Sequence, residues 1–270
     1  MTIRKNNKIN QIHSMQIQNF KLGKSEFNIS PKGAMITGWK YKTQDIIPEL
    51  HPKQNSTSLR GGVPICFPFF NASPPGMENI PQHGWLRNEE LKGKIIQQTD
   101  DEVTVRFSKE NQPLENYPWR LKYIITHKLT PKTVETILEI ERLSDGQKKN
   151  APINPAFHPY FTIRQTEKTK IGNHRPQFSN DFYYQEIPLK ENSLQSKDGA
   201  IIIDTEGGLV EMKTEGFKVV CLWTDNFQEY ACIEPVVDKH LKFNTLSGTF
   251  LKSGEKLKLI IDLKIIKNLN

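Results

Sequence analysis

The chain lacks any apolar run approaching the roughly 18–20 residues that a membrane-crossing helix needs, so no helical membrane span is expected. Met1 to Asn10 is basic but no apolar segment of a secretory signal follows it, and cytoplasmic residence is the default expectation. Cysteine is scarce. The three present, Cys66, Cys221 and Cys232, are an odd set inside apolar stretches and read as buried thiols, not a disulfide framework. None of the seven histidines stands at a zinc-like spacing from another histidine, a cysteine or an acid, so no metal site is expected. No stretch of twelve residues keeps the 3.6-residue period of an amphipathic helix, and neither a fixed repeat nor a low-complexity linker divides the chain. Charge of one sign is not concentrated either. The net +7 comes from 37 basic and 30 acidic residues, with lysines such as Lys40, Lys92, Lys148 and Lys256 spread along the chain. That pattern reads as a solvated surface or as attraction to an anionic substrate. It does not read as a nucleic-acid binder, because the basic residues neither cluster nor interleave with aromatics in a run.

What is abundant is period two, which sends alternate side chains to opposite faces of a strand. Leu257, Leu259, Ile261, Leu263 and Ile265 alternate with Lys258, Ile260, Asp262 and Lys264. The same rhythm runs through Val134–Thr136–Leu138–Ile140 and Phe217–Val219–Cys221–Trp223. Further strands are expected over 25–30, 34–41, 103–108, 121–129, 200–204, 209–213 and 230–233, with Gly, Pro, Asn and Asp in the gaps. Many short strands with frequent turns imply an all-β chain, a large antiparallel β-sandwich in one domain over residues 1–270, with about 1–12 as a possible disordered tail.

Two regions break the rhythm. Leu59 to Leu91 is rich in glycine and proline yet carries Phe67, Phe69, Phe70 and Trp85, and Asn150 to Phe161 places three prolines around one histidine. Irregular segments of this kind are where sandwich proteins carry function. Arg60 precedes the pair Gly61-Gly62 and can fork onto a carboxylate, a phosphate or sugar hydroxyls, or serve only as a surface residue beside a turn. The spacing is not that of a phosphate loop. Gln82-His83-Gly84-Trp85-Leu86-Arg87 gathers an amide, an imidazole, an indole and a guanidinium, groups suited to a sugar. His158, fenced by Phe157, Pro159 and Tyr160, is either a core histidine bonded to a carbonyl or an imidazole tuned by its surroundings. Glu234 ends an apolar strand before Pro235, as a turn residue or as a carboxylate buried for a reason.

Taken together and in order, these segments resemble the aldose 1-epimerase superfamily, the galactose-mutarotase-like proteins, and especially their hexose-6-phosphate 1-epimerase branch. The resemblance runs from Ile29-Ser30-Pro31-Lys32-Gly33-Ala34 through Arg60-Gly61-Gly62-Val63-Pro64, Gln82 to Asn88 and Phe157 to Phe161. It closes on Cys232-Ile233-Glu234-Pro235 and the turn Leu251 to Glu255. It implies a galactose-mutarotase-like supersandwich and an isomerase that interconverts α and β anomers without a cofactor. Glu234 would be the base at the anomeric hydroxyl and His158 the acid at the ring oxygen. Arg60, Gln82 and Arg87 match substrate-binding positions, and His83 lies beside the sugar. The family's substrate-binding aspartate has no clear counterpart; Asp204 and Asp181 are the candidates. Arg60, Arg87 and the basic charge tilt the expected substrate to a hexose 6-phosphate such as glucose 6-phosphate. The alternatives are an epimerase of unphosphorylated aldoses and a non-catalytic carbohydrate-binding protein on the same fold. The expected partner is a small-molecule sugar or sugar phosphate bound by a monomer, with no nucleic acid and no membrane.

Overall fold

Alternating apolar and polar side chains bury one face of a strand and leave the other in water. In the computed structural model they do so. It describes residues 11–12, 16–53, 56, 58–164, 171, 182–189, 199–238 and 249–267. In Thr133–Arg142 the expected inward set Val134, Thr136, Leu138 and Ile140 is buried, and in Lys256–Lys267 so are Leu259, Ile261, Leu263 and Ile265. These strands lie side by side in an eight-stranded sheet. Its order is Gln11–Ile12, Lys92–Gln98, Val103–Glu110, Leu121–Thr130, Thr133–Arg142, Lys256–Lys267, Gly208–Glu215, Ile201–Thr205. A second sheet has the order Tyr183–Pro188, Val219–Thr224, Ala231–Val236, Ala156–Phe157, Ile65–Cys66, with Tyr160–Phe161 beside Ala231–Val236. A third sheet is formed by Gln18–Leu22, Ser25–Ser30, Met35–Tyr41 and Gln44–Ile47. Every strand ladder among the described residues is antiparallel. One buried cluster joins the sheets, taking Phe27 and Trp39 from one, Phe107, Tyr123 and Ile261 from another, and Phe157, Leu222 and Ile233 from the last. Fully burying one such large apolar side chain contributes about 1.5–3 kcal/mol.

The strands differ from the expected ones in places. Gln11 and Ile12, placed in the expected tail of about residues 1–12, pair with Lys94 and Gly93; residues 1–10 lie outside the described residues. Lys92–Gln98, with no apolar alternation to announce it, is a strand because its neighbour Val103–Glu110 supplies the ladder. The strand expected as Phe217–Val219–Cys221–Trp223 with one inner face is Val219–Thr224, in which Val219, Val220, Cys221 and Leu222 are all buried. It is covered on both sides, as is Ala231–Val236, whose six residues are all buried.

That double covering positions the site. Ala156 pairs with Val236, and Tyr160 pairs with Cys232, on the two sides of a break in the strand. His158 falls midway between these pairs and therefore across from Glu234. On its other side Glu234 is opposite Cys221.

Candidate active site

Glu234 is 1% exposed and His158 6%. Its Oε1 lies 3.2 Å from His158 Nε2, within ion-pair range but off the line of a hydrogen bond. Glu234 Oε1 and His158 Nδ1 have no hydrogen-bond partner among the described residues. Orphaned buried polar atoms cost stability, and they are acceptable where a ligand completes them. Burial pushes the Glu234 carboxyl well above the usual carboxylate range. Burial pushes the His158 imidazole down, and His83, Arg87 and Arg60 nearby add to that shift. The backbone sets the ring: His158 N–H donates to Pro64 O at 2.9 Å. The imidazole stacks on Tyr160 with centroids 5.0 Å apart, and Trp223 stands edge-on at 5.7 Å.

Gln82, His83 and Arg87 arrive together on the turn that follows Pro81. Gly84 docks this turn on the second sheet. Its φ is +72°, and a Cβ there would sit 1.9 Å from Phe67 O, so only glycine fits. Trp85 N–H donates to the same carbonyl at 3.0 Å. His83 itself has φ +65°, an uncommon conformation for a residue with a side chain and one that clusters at functional sites. Its ring is edge-on to His158 at 5.3 Å, and burial, then Arg87 and Arg60, lower its pKa to about 4. His83 is therefore a neutral imidazole near pH 7. Arg87 belongs to the single-turn 3₁₀ helix Leu86–Asn88, pressed against the Ser30–Ala34 segment: a Cβ on Gly33 would lie 3.0 Å from Arg87 Cα.

Arg60 is held differently. Its Nη2 donates to Asp225 Oδ2 at 2.6 Å and its Nε to Asp225 Oδ1 at 3.2 Å and to the Tyr230 hydroxyl at 3.0 Å. Lys53 Nζ reaches the same carboxylate at 2.6 Å, and the Tyr230 hydroxyl also donates to it. The guanidinium lies over Trp223, 5.3 Å from the ring centroid. Burial opposes the charge on Asp225, but the Arg60 and Lys53 bonds win and hold its carboxyl below the usual range.

All six residues singled out in the sequence, Arg60, Gln82, His83, Arg87, His158 and Glu234, line one cavity of about 950 Å³, at the upper end of ordinary small-molecule sites. Lys32, Tyr160 and Trp223 line it as well. Asp204, one of the two aspartates considered for the site, is not among its described lining and stands 3.9 Å from Arg164 in the eight-stranded sheet, while Asp181 lies outside the described residues. Asp225, behind Arg60, was not read from the sequence. It sits just past Val219–Thr224, and only its position before a turn at Asn226 set it apart. Histidine and cysteine spacing showed no metal motif, yet His158, Cys232 and Glu234 bring ligand atoms within 4.8 Å of one another.

The sheet architecture is the galactose mutarotase-like fold. The chain aligns with galactose 1-epimerase from Lactobacillus acidophilus NCFM at a TM-score of 0.69 and 14% identity, covering 97% of this chain and 99% of that one. It aligns with the Slr1438 protein of Synechocystis sp. PCC 6803 at a TM-score of 0.74 and 18% identity, covering 97% and 99%. The sequence pattern of the Aldose 1-epimerase family matches residues 15–194, and the chain belongs to that family. It is also 27% identical over 145 residues to a candidate glucose-6-phosphate 1-epimerase of Escherichia coli K12. That match takes in 52% of this chain and 46% of the other, so the chain spans about half the length of the curated relatives it matches. Among the described residues no helix is long and apolar enough to cross a membrane.

Proposed function

We propose that the chain is an aldose 1-epimerase that needs no cofactor and acts on a hexose 6-phosphate, with glucose 6-phosphate the leading substrate. The observation that carries this reading is the 3.2 Å approach of Glu234 Oε1 and His158 Nε2 in a cavity that has room for a sugar phosphate. Opening an aldose ring removes a proton from the anomeric hydroxyl and gives one to the ring oxygen, and both oxygens are bonded to the same carbon. Acid and base must therefore be neighbours, each contributing on the order of 10²–10⁴-fold. Glu234 as carboxylate takes the hydroxyl proton while His158 as imidazolium protonates the ring oxygen. The freed aldehyde turns about C1–C2 and closes on its other face with the roles reversed. On closure His158 takes the proton back from the hydroxyl that re-forms the ring and Glu234 gives its proton to the aldehyde oxygen, so the pair is restored without solvent.

Burial raises Glu234 and lowers His158, and both shifts favour a carboxylic acid beside a neutral imidazole in the resting pair. That state holds the same single proton as the carboxylate–imidazolium form. A bound sugar, donating to Glu234 and accepting from His158, supplies the bonds that favour the charged form.

The charge of the cavity supports the phosphate. Lys32, Arg60 and Arg87 line it, and Glu234 is the one acidic residue among the described lining. Asp225 already balances Arg60, while Arg87 and Lys32 have no carboxylate partner among the described residues. Of the two arginines that tilt the expected substrate to a phosphate, Arg87 is therefore the anion holder, with Arg60 orienting the sugar. The chain is read as a monomer acting as one domain.

Equilibrium anomer exchange followed by NMR on free and 6-phosphorylated glucose, galactose and mannose tests this, with spontaneous mutarotation subtracted. Faster exchange of the phosphorylated sugars is expected. Equal exchange of free sugars would remove the phosphate, and no exchange of any of them would remove the epimerase.

A further inference from the structure

All three thiols of the chain lie near Glu234, and one of them completes a set of metal ligands. Cys232 and Glu234 are two apart on Ala231–Val236, so their side chains leave the same face of the strand. Tyr160, two residues beyond His158, is the partner of Cys232 in the neighbouring strand. An imidazole nitrogen of His158, Cys232 Sγ and a Glu234 carboxylate oxygen consequently converge to within 4.8 Å of one another, and all three residues are buried. Glu234 Oε1 and His158 Nδ1 are unpartnered.

We propose that His158, Cys232 and Glu234 form a binding site for a divalent metal ion of the zinc class, and that an ion held there switches the site off. The donor set decides the class: imidazole, thiolate and carboxylate together suit zinc or its borderline-soft neighbours, whereas calcium and magnesium take oxygen ligands. Zinc bonds of about 2.0–2.3 Å need ligand atoms somewhat under 4 Å apart. His158 and Glu234 already meet at 3.2 Å, so only the thiol has to close in, by side-chain rotation. Charge balance favours the complex in a dry site. A dication with a thiolate, a carboxylate and a neutral imidazole has no net charge, which avoids the cost of burying an isolated ion. Three protein ligands leave a fourth position on the cavity side, where water or a sugar hydroxyl completes the tetrahedron. An ion in this place occupies the electron pairs that move the proton, so inhibition is the expected consequence. The metal site itself does not depend on the epimerase reading, because binding is read by spectroscopy.

The test is titration of the purified full chain with Co²⁺, followed by displacement with Zn²⁺. A thiolate-to-cobalt charge-transfer band saturating at one equivalent, and bleached by Zn²⁺, is expected. Cys232→Ser should abolish the band, while Cys221→Ser should retain it. Glu234→Gln, a near-isosteric change, should weaken Co²⁺ binding on the order of tenfold or more, at least the loss seen when outer-shell support is removed; this covers the case in which Cys232→Ser does not fold. Zn²⁺ should inhibit anomer exchange in the wild type and lose potency in Cys232→Ser. A band absent from the wild type, retained in Cys232→Ser, or unaffected by Glu234→Gln would overturn the site. Equal inhibition of wild type and Cys232→Ser would overturn the switch.

Discussion

Glu234→Gln is expected to lose on the order of 10²–10⁴ of the catalysed anomer exchange, and His158→Ala a similar factor, because either change removes one of two protons' acceptor or donor. Gln keeps the shape of Glu and most of its hydrogen-bonding capacity, so the sugar should still bind. The double variant should be little slower than either single one, since residues that work as a unit do not add. Lost rate must be separated from lost fold, and the sign of the linkage helps. Burial raises the folded pKa of Glu234 above its ordinary value. Its stability contribution is therefore full below that ordinary value and falls as pH rises towards the folded value. Gln cannot ionise and escapes that loss. At pH 8 the variant should melt at or above the wild-type temperature while being nearly inactive, measured by thermal denaturation beside NMR exchange. Near wild-type exchange above the spontaneous background would mean that another group is the base.

Arg87→Ala should raise KM for the phosphosugar by roughly 10–150-fold, the equivalent of one or more charged hydrogen bonds worth about 1.5–3 kcal/mol. For the free sugar KM should change little. Arg87 lines the cavity with no carboxylate to balance it among the described residues. Arg60 is different: its guanidinium is tied to Asp225, Tyr230 and Leu59 O. Arg60→Ala should therefore hurt both sugars, and it frees Asp225 and Lys53 to rearrange. Steady-state kinetics on the two sugars for both variants separates the roles. An equal rise in KM on both sugars for Arg87→Ala would assign it to ring hydroxyls or to the fold.

The outer strands were legible because one face meets water. Val134, Thr136, Leu138 and Ile140 alternate in sequence and are buried together, and Ser25–Ser30 has the expected bounds. Val219–Thr224 and Ala231–Val236 were only partly legible, since strands covered on both faces lose the polar beat that marks a period. Lys92–Gln98 carried no signal, being specified by its partners across the sheet. The six cavity residues were found through motif order, as the resemblance implied. Composition and spacing left each of them open. What no local pattern contains is register: His158 and Glu234 meet because Ala156 pairs with Val236 and Tyr160 with Cys232. Asp225 was missed for the same reason, as its partner Arg60 is 165 residues away. Cys232 was read correctly as a buried thiol, but its place beside the acid–base pair belongs to the fold.

The most direct measurement of the shared-proton pair is the pH dependence of catalysed anomer exchange on glucose 6-phosphate. With burial lowering His158 and raising Glu234, the single-proton state should span a wide plateau. The acid limb should fall below the ordinary imidazole value, where His158 takes a second proton. The alkaline limb should fall above the ordinary carboxylate value, where Glu234 loses the last one. Both limbs belong to the pair, so Glu234→Gln should flatten the alkaline limb along with the rate. A catalysed rate that rises steadily with pH, with no alkaline fall, would mean a lone base at work and would contradict catalysis by one proton shared between Glu234 and His158.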